Sequence, residues 1–140
     1  MKEKTIHDPV HGSMRLSGLV LDLVDTPEVQ RLRRIKQLGL ANLVFPGANH
    51  TRFEHVLGTA FLAERLGKEL ELPQDEIDLL VAAAVLHDVG HAPYSHTLEY
   101  LMTDYLEKGH MELTGEVLRG DASTCTSSEI DVLTDLGAPR

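Results

Sequence analysis

At 140 residues with 42% hydrophobic side chains, the chain has one domain's worth of sequence and enough apolar content to bury a core. A net charge of −9 argues against sequence-independent binding to nucleic acid through a basic surface, and no strong nucleic-acid binding is expected. No apolar run approaches the roughly 18 residues of a membrane span, and Met1 to Lys4 opens without an apolar signal region, so a cytoplasmic protein with no membrane partner is expected.

Aromatic residues make up 4% of the chain and Trp is absent, while Leu, Val and Ala are frequent, which predicts an all-α protein with an aliphatic core. The single cysteine, Cys125, excludes an internal disulfide and a cysteine-rich zinc site, so histidine must supply any nitrogen ligands. Charge is unevenly spread. Residues 1 to 98 hold 10 basic against 13 acidic side chains, and residues 99 to 140 hold 3 against 9.

In chain order, His7-Asp8-Pro9-Val10-His11-Gly12 is turn-like and a short apolar run follows, so the stretch from Lys2 to Leu23 reads as an extended arm or small hairpin. Asp25-Thr26-Pro27-Glu28 carries a capping side chain, proline at the first helical position and an acid in the first turn. With Gly39 as the stop, it predicts a helix over about 27 to 38. Arg31, Arg33, Arg34 and Lys36, with Arg52 further on, read either as a pocket for a polyanion or as a solvated basic face. Phe45 to Asn49 is a loop. Thr51-Arg52-Phe53-Glu54 then has the form of a capping box, which starts a helix near His50 to Arg52 that runs to about Leu70, where Pro73 breaks the pattern.

A third helix is expected from about Asp75 to His87 or Asp88, ended by Gly90 and Pro93, a fourth from about Ser95 to Leu106, and a fifth from Gly109-His110. After Arg119 helical periodicity fades. The chain therefore divides into a domain over 1–119 and a polar, loosely structured tail over 120–140.

The stripe Ile77, Leu80, Val81, Ala84, Val85 marks the core face of the third helix, and Asp88 continues it. An uncompensated buried polar group costs on the order of 2 to 7 kcal/mol. Either a hydrogen-bonded arginine or a metal ion would meet this carboxylate. His87 adjoins Asp88, His91 lies one turn beyond, and His55 falls in the first turn of the preceding helix. Imidazole with carboxylate and no thiolate suits Mn, Fe, Zn or Ni and leaves coordination positions open, which favours a hydrolytic centre over a structural one.

The ordered set Asp8-Pro-Val-His-Gly12, Gln30-Arg-Leu-Arg33, Ile35-Lys-Gln-Leu-Gly39, Val44-Phe-Pro-Gly-Ala48, Arg52-Phe-Glu-His55 and His87-Asp-Val-Gly-His91, with Pro93 and Ser95-His96, resembles the HD superfamily of metal-dependent phosphohydrolases, in its dNTP triphosphohydrolase branch. The resemblance covers about residues 4 to 118. It implies an HD-domain helical bundle that hydrolyses deoxynucleoside triphosphates to deoxynucleoside and inorganic triphosphate, with a divalent metal (Mn, Fe, Zn, Ni or Mg) as cofactor.

Residue by residue, the resemblance implies His55, His87 and Asp88 as metal ligands, Arg52 on the substrate phosphates, and Gln37 with Leu38 on the deoxyribose. His91, His96 and His110 would surround the triphosphate, His96 as general acid with Glu99 orienting it; Glu99 reads equally well as an exposed helix acid. Lys4, Asp25, Gln30 and Arg33 would line a regulatory site for a GTP or dGTP activator at a subunit interface. Asp25 also reads as a plain helix cap and Arg33 as its exposed partner. His7, His11 and His50 read as surface or turn residues.

The family completes its metal site with an aspartate from a later helix. Here the aspartates after Asp104 are Asp121, Asp131 and Asp135, in or beside the polar tail with no pattern aiming them inward. The chain therefore reads as the N-terminal part of an HD domain whose uncovered apolar faces favour a homo-oligomer. The alternatives are a catalytically incomplete nucleotide-binding or regulatory HD module, and an HD phosphodiesterase or nucleotidase.

Overall fold

A computed structural model of the protein describes residues 2–94, 98, 100, 101, 103, 104 and 107–121. The expected arm is an antiparallel hairpin of β1 (Glu3–Asp8) and β2 (Gly12–Ser17), in register from Glu3 opposite Ser17 to Asp8 opposite Gly12. Its turn is set by Asp8, whose Oδ1 accepts from the Val10 and His11 amides at 2.9 and 2.8 Å, and by Gly12 at φ +76°. Met14 and Leu16 alternate inward to the core.

The apolar run after the hairpin departs from expectation, because it is helical. Gly18 at φ +54° turns the chain out of the strand, and α1 (Gly18–Val24) buries Leu21 and Val24 at helical spacing. Next, α2 (Pro27–Arg31) starts at Thr26 as expected but does not reach 38. It tightens into a 3-10 turn over Leu32–Arg34, and Ile35 is extended at φ −110°, ψ 115°. The physical cause is the spacing of its buried residues: Val29, Leu32 and Ile35 fall every third position, the period of a 3-10 turn. Gln37 and Leu38 consequently lie in a turn that closes at Gly39, φ +56°.

The central pair is α3 (Arg52–Glu69) and α4 (Gln74–Leu86). The capping box at α3 is formed: the Thr51 hydroxyl accepts from the Glu54 amide, and the Glu54 carboxylate accepts from the Thr51 amide and hydroxyl. Phe53, Val56, Leu57 and Ala60 of α3 meet Ile77, Val81 and Val85 of α4 in the core. The α4 stripe is narrower than its sequence suggests, since Leu80 is exposed and Ala84 half-buried. At Gly67 a Cβ would stand 2.8 Å from Ile77 Cγ1, so that glycine permits the close helix approach.

Of the helix expected over 95–106, the described positions 98, 100, 101, 103 and 104 are helical. The expected fifth helix is α5 (His110–Arg119), closed by Gly120 in the left-handed region. The tail after Asp121, with Cys125, Asp131 and Asp135, lies outside the described residues. Among the described residues no helix is long and apolar enough to cross a membrane.

Candidate metal centre

Helix α3 presents His55 from its capped first turn, and α4 delivers His87 and Asp88 just past its last residue. The His55 and His87 Nε2 atoms are 3.2 Å apart, His87 Nε2 lies 3.3 Å from Asp88 Oδ1, and His55 Nε2 lies 3.8 Å from Asp88 Oδ2. Ligand atoms bound at about 2.1 Å around one ion stand roughly 3 to 3.5 Å from each other, so the 3.2 and 3.3 Å spacings match a shared cation and the 3.8 Å one lies slightly beyond that range. His87 Nδ1 lies 2.8 Å from the Ala84 carbonyl, which places the ring proton there and leaves Nε2 to coordinate. Among the described residues this trio is the one group of three His, Cys, Asp or Glu side chains close enough to hold a metal.

Asp88 is 5% exposed and is met by four cationic or protonatable neighbours, Arg52, His55, His87 and His91. Arg52, itself 1% exposed, donates from Nη1 to Asp88 Oδ2 at 2.6 Å, and His91 Nε2 stands 3.4 Å from Oδ1. Both compensations weighed for this carboxylate, an arginine and a metal-ligand set, are therefore present together. Burial pushes the Asp88 carboxyl up, but His87, Arg52 and His91 together outweigh it and hold it below its ordinary range. Burial lowers His55, with Asp88 opposing and the His87, Arg52 and His50 charges adding to the fall. His55 is thereby kept in the neutral form that binds metal.

The structure also brings together His91 and His110, whose rings stack at 4.1 Å between centroids. His96 and Glu99 lie outside the described residues. Gln37 holds its backbone against His50 O, and its side-chain Oε1 is buried without a hydrogen-bond partner among the described residues; Leu38 is exposed in the same turn. Lys4, Asp25, Gln30 and Arg33 form a second group: Lys4 Nζ is 2.7 Å from both Asp25 oxygens, Arg33 Nε donates to Gln30 Oε1 at 2.8 Å, and the Asp25 charge reaches Arg33. Arg33 also covers the Phe53 ring at 3.6 Å. Asp121 is exposed and pairs with Arg119 at 2.8 Å instead of joining the histidines.

A cavity of about 460 Å³ opens beside His55, bounded by the hairpin turn and α3. His11, read from the sequence as a turn residue, is that turn's anchor: its ring lies 4.9 Å from Phe61, and a Cβ on Gly58 would sit 3.1 Å from its Nε2.

Two further residues fix the turn carrying His87 and Asp88: Arg31, visible in the sequence only as a member of the basic cluster, and Thr114, which no sequence pattern marks. Arg31 Nη2 donates to the His91 carbonyl at 2.9 Å. Thr114, 5% exposed on α5, accepts from the Gly90 amide at 3.0 Å and donates to the His87 carbonyl at 3.3 Å. Both bind backbone atoms, which a residue pattern does not display.

Over 103 residues the chain is 48% identical to the deoxynucleoside triphosphate triphosphohydrolase SAMHD1 of Bos taurus, a match to 69% of this chain and 18% of that protein. Two solved structures are similar: a phosphohydrolase from Bacteroides thetaiotaomicron (TM-score 0.64, 35% identity, 84% of this chain and 35% of that one) and a hypothetical protein from Aquifex aeolicus (TM-score 0.71, 39% identity, 99% and 39%). The chain spans about a fifth of the length of the first curated relatives it matches. The HD domain family is matched over residues 52–129, from the first residue of α3 through both metal-facing segments. With more than half of its length inside that match, the chain belongs to the HD domain family.

Proposed function

We propose that this chain carries the metal centre of a phosphohydrolase that cleaves deoxynucleoside triphosphates at the α-phosphorus. The observation that carries this reading is the convergence of His55 Nε2, His87 Nε2 and an Asp88 oxygen within 4.8 Å of one another in an HD domain, a family that depends on a divalent metal. The triphosphate substrate is supported by the identity to SAMHD1 of Bos taurus and by the buried, unpartnered Gln37 Oε1 among the described residues, a polar atom suited to a sugar hydroxyl.

In this reading His55, His87 and Asp88 hold the ion. A divalent ion supplies Lewis-acid polarisation of phosphoryl oxygens and lowers the pKa of water. Arg52 joins His87 and His91 in favouring the ionised Asp88 and, in the role drawn from the family, contacts the substrate phosphates. His91, buried beside the carboxylate, and the half-buried His110 stack on each other and offset charge on the triphosphate. Water adds to the α-phosphorus, the bond from phosphorus to O5′ breaks, and His96 returns a proton to O5′, giving deoxynucleoside and triphosphate. Lys4, Asp25, Gln30 and Arg33 would take a guanine-nucleotide activator where two copies of the chain meet.

A second reading, a nucleotide-binding module without turnover, is favoured by the count of three ligands among the described residues. Incubating the chain with dGTP, with and without Mn, and measuring released triphosphate separates the two. Metal-dependent release that is lost in His87→Ala supports the hydrolase; dGTP binding with no release supports the module.

A further inference from the structure

The turn that carries His87 and Asp88 leaves α4 by an irregular path. Past Leu86 the backbone switches to bonds three residues apart: Val89 N donates to Leu86 O at 3.2 Å and His91 N to Asp88 O at 3.1 Å. The Gly90 amide and His87 carbonyl are the pair that would close between these two. A side-chain hydroxyl stands between them instead: Thr114 Oγ1 accepts from Gly90 N at 3.0 Å and donates to His87 O at 3.3 Å. One hydroxyl thus satisfies a buried donor, the Gly90 amide, and a half-buried acceptor, the His87 carbonyl, in a turn whose own backbone leaves the two unpaired with each other.

The fit depends on Gly90. A Cβ there would lie 2.3 Å from the Thr114 amide and 2.6 Å from its hydroxyl, so α5 seats directly on the turn. His110, four residues before Thr114 on α5, stacks on His91 at the end of the same turn. The brace comes from a helix 24 residues further along the chain, and its partners are backbone atoms of the metal-facing segment.

We propose that Thr114 is a positioning residue for the metal centre: its hydroxyl, inserted between Gly90 N–H and His87 C=O, sets the turn that aims His87 and Asp88. The inference rests on the reading of His55, His87 and Asp88 as metal ligands. Groups that orient metal ligands from behind change affinity by roughly ten- to a hundredfold when removed.

The test compares Thr114→Val, which keeps the volume and loses the hydroxyl, with Thr114→Ser, which keeps the hydroxyl. Mn affinity is read by titration calorimetry on the whole chain, and exchange of the Gly90 amide with deuterium is followed by NMR. The expected result is Mn binding weakened at least about tenfold in Thr114→Val, with faster Gly90 exchange, and both retained in Thr114→Ser. Unchanged Mn affinity in Thr114→Val overturns the inference, as does Gly90 exchange in the wild-type chain at the rate of an open loop, a reading that needs no folded variant. Absence of Mn binding by the wild-type chain, matched by His87→Ala, overturns the metal reading beneath it.

Discussion

Arg52 Nη1 lies 2.6 Å from Asp88 Oδ2, and both side chains are buried, so the carboxylate offered to a metal is also the counter-ion of an internal arginine. Removing one partner of such a pair leaves a charge without compensation in the interior. Arg52→Met is expected to lower stability by about 3 to 5 kcal/mol, and the double variant Arg52→Met, Asp88→Leu to lose much less, as chemical denaturation will show. Mn at a hundred times its dissociation constant should restore about 2.7 kcal/mol to any form that still binds it.

Gly90→Ala should be strongly destabilising. Its Cβ would meet the Thr114 amide at 2.3 Å and the His110 carbonyl at 2.7 Å, two backbone atoms of α5 that cannot rotate away. Overpacking of this kind costs about 1 to 3 kcal/mol or more. Gly47→Ala, where nothing lies within 4 Å, serves as the control and should change the melting midpoint little.

Stability and metal binding should both decline in acid. His55 is lowered by burial, so across the interval between its folded value and the ordinary 6.5 the unfolded chain binds more protons, and stability falls as pH drops through that interval. Asp88, held below its ordinary value, adds a contribution that is present above the unfolded carboxylate range and is lost as pH falls through its folded value. Mn affinity should fall on acidification, because the ion and protons compete for the same imidazole and carboxylate atoms. Calorimetric titrations at stepped pH will trace this, and affinity that rises on acidification contradicts it.

Thr51→Ala removes the hydroxyl that accepts from the Glu54 amide at the start of α3. A loss of about 1 kcal/mol is expected, with Thr51→Ser close to the parent. Thermal unfolding of the two variants provides the comparison, and equal midpoints would argue that the box contributes nothing.

Local signals were legible where they were complete within a few residues. Thr51 and Glu54 form the box their spacing predicts, and Pro73, Gly90 and Gly109 bracket helices close to where expected. The first basic helix ends short of the Gly39 stop because, although Lys36, Gln37 and Leu38 have helical propensity, the backbone of Ile35 is claimed by Arg52 and that of Lys36 by Thr51. The apolar run after Ser17 suits strand or helix equally, and the left-handed Gly18 decides it. The histidines and Asp88 were visible as side-chain types at telling positions. Thr114 was not, and Arg31 showed only as part of a basic cluster, because their partners are carbonyls and an amide brought near only by tertiary packing.

The segment between Ile35 and Arg52 enters and leaves at neighbouring points: Arg52 N donates to Ile35 O at 2.8 Å, and Gln37 N to His50 O at 3.1 Å. A loop pinched at its base insulates the body from what happens at its tip. Doubling the length of a flexible loop costs only about 0.6 kcal/mol, and Val44, Phe45 and Gly47 are exposed there. This tip is therefore a permissive place to graft a reporter peptide or an affinity handle, one that would ride on the protein without pulling His55 out of line.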